Sequence, residues 1–155
     1  MPVQFLDSRV SDFFTSDNED LILPTDTPIL LGDIGLQTAA ALGTPNQSSI
    51  RVQLVGTIGV TIRSGNPRVI VYVQRGSTEV FGSGTIIYTL QGDLPAEAGN
   101  TRLLNFTAGD FPSALDAASG EIRYTMFAVA ERSRKSRVRI RGPVNFMGTA
   151  AAGNE

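Results

Sequence analysis

Most of the side chains in this sequence that could do chemistry are charged, and charges of opposite sign are concentrated near its two ends. Residues 7–26 hold six acids and one base, Arg9, whereas residues 132–141 hold six bases and no acid. The net charge of −2 conceals this separation. Opposite charges at the two ends favour association between copies of the chain. The acids are Asp7, Asp12, Asp17, Glu19, Asp20 and Asp26, and the bases are Arg132, Arg134, Lys135, Arg137, Arg139 and Arg141.

The residue types of the commonest catalytic sites are missing. The chain has no histidine and no cysteine, which excludes nucleophilic sites built on Ser–His or Cys–His pairs and metal sites built on thiolates. Its single lysine, Lys135, lies among arginines. Asp110 and Asp116 are spaced like a carboxylate pair, but capping of a turn is the favoured interpretation. We therefore expect no enzymatic activity and no cofactor.

The charged runs disfavour other kinds of ligand as well. The acids of residues 17–20 could bind calcium through oxygen atoms, but they lack the spacing of a calcium loop, so we expect no metal. The bases of residues 132–141 have no aromatic residue among them and the isoelectric point is about 5.1, so we expect no nucleic-acid partner. The N-terminus lacks a basic region followed by an apolar stretch, and no run approaches the ~18–20 apolar residues of a membrane span. We expect neither a cleavable signal peptide nor a membrane partner.

Residues 1–20 differ in pattern from the rest of the chain. Their apolar residues are spaced like one face of a short helix, although Val3 and Phe5 could equally begin a strand. The polar run 15–20 is suitable as a hinge. This segment either packs on its own domain or acts as an arm that docks on a neighbouring copy. We divide the chain into an N-terminal arm, residues 1–20, and a domain, residues 21–155.

From residue 21 onward the pattern is that of β-strands. Residues 52, 54, 58, 60 and 62 are apolar and alternate with polar residues, which predicts a strand with one buried face. Gly142-Pro143 predicts a bend, because proline donates no ladder hydrogen bond. About eight strands at this spacing indicate a β-sandwich or jelly roll. The predicted strands are 21–23, 28–36, 50–62, 69–73, 80–90, 102–107, 122–130, 138–140 and 144–146, and a small-residue tail follows at 149–153.

Six short motifs, in order and spacing, resemble a family of small spore-surface proteins of Bacillus-like bacteria, of the exosporium protein C type. Together they span residues 32–148, most of the chain. They are Gly-Asp-Ile-Gly-Leu at 32–36, Arg-Val-Gln-Leu-Val-Gly-Thr-Ile-Gly-Val at 51–60, residues 71–76, the stretch from Phe106 to Asp110-Phe111-Pro112, Ile-Arg-Tyr-Thr at 122–125, and Gly-Pro-Val-Asn-Phe-Met-Gly at 142–148.

The resemblance implies a jelly roll similar to that of the tumour necrosis factor superfamily, usually a homotrimer. It also implies a role in the outer layer or the appendages of endospores. Some appendage subunits are similar in plan, with an N-terminal connector that inserts into the next subunit, and residues 1–20 look like such a connector. Two departures are the absence of cysteine, which rules out disulfide cross-linking, and the absence of a collagen-like stalk.

The resulting hypothesis is a structural subunit of a spore-surface layer or fibre. Its partners are copies of itself and other spore-coat proteins. Apolar arm residues would supply ~1.5–3 kcal/mol each if fully buried, and exposed ion pairs only ~0.2–1 kcal/mol each. Alternatives are a carbohydrate- or receptor-binding module, with its site in loops 92–100 and 108–120, and a viral capsid or fibre protein. The arm residues are Val3, Phe5, Leu6, Val10, Phe13 and Phe14, and the charges that set register are Asp7, Asp12, Asp17, Glu19 and Asp20 with Arg137, Arg139 and Arg141.

Overall fold

The described residues of a computed structural model of the protein form nine strands in two antiparallel sheets. These residues are 3–14, 21–76, 78–94, 99–131 and 137–153. Two short 3₁₀ turns, Ala39–Ala41 and Pro45–Ser49, precede the fourth strand. The strands are β1 (Gln4–Phe14), β2 (Leu21–Ile22), β3 (Ile29–Gln37), β4 (Ile50–Ser64), β5 (Arg68–Arg75), β6 (Thr85–Asp93), β7 (Thr101–Asp110), β8 (Glu121–Ala130) and β9 (Arg137–Ala152).

The order of the strands defines a jelly roll. Sheet A has the order β1-β9-β4-β7, with the short β2 beside β9, and sheet B has the order β3-β8-β5-β6. Apart from the β5–β6 hairpin, each long strand is followed by a long strand of the opposite sheet. Eight long strands wound in this way between two sheets are the jelly-roll arrangement. The prediction of an all-β jelly-roll sandwich is confirmed.

Alternation along the strands builds the core between the sheets. In β4, Ile58, Val60 and Ile62 are buried, whereas Arg51 and Gln53 lie on the solvent side. This is the arrangement that the sequence predicts, because successive side chains of a strand point to opposite faces.

Phe146 of β9 lies at the centre of the core. It is fully buried, and its ring centroid lies 6.4 Å from that of Phe106 on β7. Gly32 on β3 makes room for it, since a Cβ at position 32 would come within 2.6 Å of the Cβ of Phe146. A small residue in one sheet therefore accommodates a large ring from the other.

The C-terminal part of the sandwich differs from the prediction. The predicted strands at 138–140 and 144–146 and the predicted tail at 149–153 belong to one strand, β9, of 16 residues. The Gly142–Pro143 bond is cis and Gly142 has a φ of 79°, and the β4–β9 register shifts opposite it, between Ile58 and Val60. Gly59 faces Gly142 at this point and has no side chain to prevent the close approach. The irregularity is therefore absorbed within the ladder, as in a β-bulge.

Two further differences concern residues 80–84 and the N-terminus. The strand predicted at 80–90 begins only at Thr85. Phe81 lies in a turn, and its apolar ring packs against the rings of Tyr72 and Phe127 at centroid distances of 4.9 and 5.4 Å. The helical interpretation of the first residues is wrong, since β1 pairs with β9 over most of its length.

Replacing Phe146 with alanine should lower the free energy of unfolding by about 3–5 kcal/mol, because it leaves a cavity where two sheets meet. Thr149→Ala on the same strand is the control. Thr149 is exposed, so its replacement should change the free energy by no more than about 0.5 kcal/mol. Urea denaturation followed by circular dichroism measures both, and equal effects of the two variants would contradict the placement of Phe146.

Candidate assembly surface

The apolar residues predicted to form a docking arm lie on or beside β1, and they point in different directions. Phe5 is 66% exposed and Val10 is 60% exposed, and Val3 and Phe13 are exposed as well. Leu6 and Phe14 instead are half-buried and pack against the core of their own chain. The described part of the predicted arm is therefore an edge strand of sheet A. Some of its apolar side chains already pack within the sandwich of their own chain. Its docking on a neighbour stays a prediction.

Side chains of β1 close the seam between the edges of the two sheets. A carboxylate oxygen of Asp7, Oδ2, accepts a hydrogen bond from the backbone N–H of Gln37 at 2.9 Å. Ser11 Oγ accepts one from the N–H of Asp33 at 3.2 Å. Both donors belong to β3, the edge strand of sheet B. Amides that a neighbouring strand could otherwise pair with are thus occupied.

Asp7 is therefore engaged within its own chain. Its Oδ2 also accepts from Arg9 Nε at 2.8 Å. The hydrogen bond from Arg9, followed by those from the backbone, lowers the pKa of Asp7 below the usual carboxyl value. Asp7 thus has Arg9 and the amide of Gln37 as partners in its own chain, and its pairing with the C-terminal arginines of another copy stays a prediction.

Three cross-strand rows of four residues form the middle of the outer side of sheet A, and we call them the central face. Each row crosses β1, β9, β4 and β7 in register. Every one of these residues is exposed or half-exposed, and Asp12 is the only one that is charged. The rows are Ser8, Thr149, Gln53 and Gly109; Val10, Met147, Val55 and Thr107; and Asp12, Asn145, Thr57 and Asn105.

Half of the polar side chains of the central face are joined to each other by hydrogen bonds. Thr57 Oγ1 donates to Asn105 Oδ1 at 2.9 Å, and the hydroxyls of Ser8 and Thr149 lie 3.3 Å apart. Seven large apolar residues on or beside sheet A are exposed, and exposed apolar residues grouped on one side are typical of an interaction surface. They are Val3, Phe5, Val10, Phe13, Ile22, Leu103 and Met147.

The arginine row lies at one end of the same side. Arg137, Arg139 and Arg141 alternate along β9 with Val138 and Ile140, which are buried. Their predicted arrangement in one row on one face is confirmed. The predicted acidic partners Asp17, Glu19 and Asp20 lie outside the described residues, as do Arg132, Arg134 and Lys135.

A buried polar network at the other end of the sandwich did not emerge from the sequence. Arg75 Nη1 donates to both carboxylate oxygens of Asp110, at 2.6 and 2.8 Å, and the hydroxyl of Tyr124 donates to Asp110 Oδ2 at 2.7 Å. Burial, together with the charge of Asp110, raises the pKa of Tyr124 above the usual phenol value. The protonated phenol of Tyr124 and the paired guanidinium of Arg75 stabilise the fold, and neither group is a nucleophile in this state. Arg75 and Asp110 are far apart in sequence, so no local pattern reveals the pair.

The predicted capping of a turn is correct for Asp116 and wrong for Asp110, which ends β7 and pairs with Arg75 and Tyr124. Asp116 Oδ2 accepts from the backbone N–H of Ser113 at 2.7 Å and from the Ser113 hydroxyl at 2.8 Å. These hydrogen bonds, that of the hydroxyl first, lower the pKa of Asp116. Within the described ranges, no group of three or more acidic side chains could hold a metal ion. The same ranges contain no helix long and apolar enough to cross a membrane.

No family model and no curated protein matches this chain. Among solved structures, a chain of the Gx strain of infectious bursal disease virus is 11% identical, with a TM-score of 0.49; the match covers 95% of this chain and 37% of the viral one. The Eiger TNF of S. frugiperda is 11% identical, with a TM-score of 0.47 and coverage of 98% and 94%. A CBM4 structure is 13% identical, with a TM-score of 0.44 and coverage of 90% and 92%. The protein is a jelly-roll protein, and likeness at this level says nothing of its function.

Replacing Asp7 with asparagine should destabilise the protein by about 1–2 kcal/mol at neutral pH, because hydrogen bonds to a charged group are lost. The pKa of Asp7 is lowered in the folded state, so its stabilisation is complete above the usual carboxyl pKa. It disappears as the pH falls through the lowered value. The difference between wild type and Asp7→Asn in urea denaturation should therefore shrink in acid. Asp12→Asn, at an exposed acid of the same strand, is the control and should change the free energy of unfolding by no more than about 0.5 kcal/mol at neutral pH.

Proposed function

We propose that this protein is a structural subunit that assembles with copies of itself through the outer side of sheet A. The observation that carries the proposal is the central face. It is a regular surface across four strands that combines apolar residues, internally paired polar groups and a single charge. Little charge has to be desolvated when such a surface is covered, and the cores of protein interfaces are depleted of charge for this reason. Trimers formed through this side are the assembly that we propose.

Exchange of β1 between copies would extend the assembly head to tail. Not one residue of β1 is fully buried, and among the strands that the structure describes it pairs only with β9. The same register on β9 is available to β1 of another copy if the first strand leaves. Exchange of an identical strand between subunits requires no new contacts, because each copy makes the same contacts with a strand from its neighbour. A head-to-tail contact that does not close into a ring produces filaments.

The free edge of sheet A offers a second route for strand addition. β7 is the last strand of its sheet and pairs with β4 over ten positions without a register shift. β1, at the opposite edge, has two register irregularities and faces β3. A long regular edge is the kind to which an extended segment of another chain can add.

The arginine row contributes direction in this proposal. Exposed ion pairs supply only ~0.2–1 kcal/mol each, but a row of like charges at one end of a face disfavours a partner that presents the same end. Acidic residues of a second copy would then set the register, and apolar contacts would supply most of the affinity.

The proposed location is the surface of bacterial endospores, as an exosporium layer or an appendage, with other spore-coat proteins as further partners. The resemblance of residues 32–148 to exosporium proteins supports this part of the proposal. Nucleic acid, membranes and cofactors have no role in it, and neither does catalysis.

Replacing Val10 with lysine should dissociate the assembly, because it places a charge in the middle row of the central face. Ile86→Lys is the matched control, since Ile86 is 44% exposed on the outer strand of sheet B. Light scattering should give a smaller mass for Val10→Lys and an unchanged mass for Ile86→Lys, with both variants folded by circular dichroism. A monomeric wild type, or an oligomer unaffected by Val10→Lys, would refute assembly through this face.

Immunogold electron microscopy tests the proposed location separately. An antibody against the protein should label the outermost layer or the appendages of intact endospores. Endospores of a strain that lacks the gene are the control and should remain unlabelled. Labelling confined to vegetative cells would contradict a spore-surface role while leaving the assembly itself unaffected.

A further inference from the structure

A rigid loop presents an exposed phenyl ring at the end of the sandwich where β7 ends. Phe111 is 76% exposed, yet the residues that follow it are firmly held. Gln47 Nε2 donates to the carbonyl oxygen of Ala114 at 3.1 Å, and Thr38 Oγ1 donates to that of Ala117 at 3.1 Å. Together with the cap by Asp116, these bonds fix the loop. A ring held in water by a fixed loop is preorganised to receive a ligand.

Phe111 borders an open cleft of about 370 Å³. The walls are short or ring-shaped side chains, including Pro45, Ser48, Pro112 and Ser113, and Arg51 contributes a cation. The volume lies near the lower end of the range of small-molecule sites. It therefore suits one small ring or the end of a chain of rings.

Arg51 is the unusual member of this cleft. It is half-buried, and within the described parts of the chain no hydrogen bond or ion pair of its side chain is found. Other half-buried arginines have acidic partners: Arg75 pairs with Asp110, and Arg123 with Asp33. A guanidinium that has no acceptor among the described residues is well suited to an anion, since it can donate two parallel hydrogen bonds to one carboxylate.

The serines of the cleft accept hydrogen bonds more readily than they donate them. The Ser113 hydroxyl donates to Asp116 Oδ2 at 2.8 Å and accepts from the backbone N–H of Asp116 at 3.2 Å, which leaves one lone pair for a ligand. The Ser48 hydroxyl donates to the carbonyl oxygen of Pro45 at 3.5 Å. Each hydroxyl oxygen keeps acceptor capacity. A ligand in this cleft must therefore donate to the serines, place an anion at Arg51 and cover Phe111 with an apolar face.

We infer that this cleft binds an acidic saccharide, with the carboxylate of a uronic acid unit at Arg51. The hydroxyl groups of the sugar donate to Ser48 and Ser113, and its C–H face packs on the ring of Phe111. An acidic peptide fits less well, because it offers only one backbone N–H donor per residue, whereas each sugar unit carries several hydroxyl donors. Sugar hydroxyls can donate to the serines while their own lone pairs remain in water. The site lies beyond the last row of the central face and does not depend on the proposed assembly.

Titration of the ¹⁵N-labelled full-length protein with trigalacturonic acid, followed by NMR chemical shifts, tests the site. Shifts should concentrate at residues 45–51 and 111–113. Arg51→Gln should weaken binding roughly ten- to a hundredfold, because a charge-assisted hydrogen bond is lost. Phe111→Ser should weaken it about tenfold. A neutral glucose trisaccharide should bind at least about tenfold more weakly than the uronate.

Two controls separate a built site from general attraction. Arg63→Gln removes an exposed arginine from the same side of β4, and Leu115→Ser removes a residue of the same loop that is 84% exposed and does not line the cleft. Both should leave the affinity unchanged. Three outcomes would overturn the inference: no shifts at millimolar trisaccharide, an equal loss of affinity for Arg63→Gln and Arg51→Gln, or equally tight binding of a triglutamate peptide.

Discussion

The pairing of β9 on both of its sides is the constraint on which the rest of this structure depends. Over its second half β9 pairs with β1 on one side and with β4 on the other. This one strand carries Phe146 in the core, Met147 on the central face and the arginine row at its other end. It also holds the N-terminal strand, which pairs with no other strand in the described part of the chain. Core, outer surface and the attachment of β1 are therefore consequences of a single ladder.

The two sides of sheet A follow different rules. The inner side is close-packed, and glycines such as Gly32 and Gly148 are found where a side chain would collide with a neighbour from the opposite sheet. The outer side has a central face with a single charge and several exposed apolar residues, and none of the residues that the structure describes covers it. Packing in the core explains why the residues of the inner side are apolar, but it does not explain the exposed apolar residues of the outer side. This contrast is the physical basis for assigning the outer side to contacts between copies.

Strands with strong alternation could be predicted, and strands with irregular backbone could not. β4 and β8 were predicted nearly to their ends because their apolar residues repeat every second position or run without interruption. β9 was predicted in pieces, because Gly142-Pro143 has the composition of a bend. The ladder continues through it only because Gly59 lies opposite and has no side chain. Phe81 led to the opposite error, because the predicted strand was extended into a turn. An apolar residue in a turn can pack on other rings just as one in a strand can. The residues of the cleft around Arg51 were not recognised as a group, because they come from separate turns.

The sequence by itself determined the alternation of buried and exposed residues, the row of arginines on one face and the lack of histidine and cysteine. These are local or compositional properties, and an extended backbone converts them directly into faces. Only the tertiary structure decided that the N-terminal segment is an edge strand, that Asp7 faces Arg9 and Gln37, and that Arg75 meets Asp110. The physical reason is that strand partners are selected by the packing of residues far apart in the chain, and this choice leaves no mark in any short stretch of sequence.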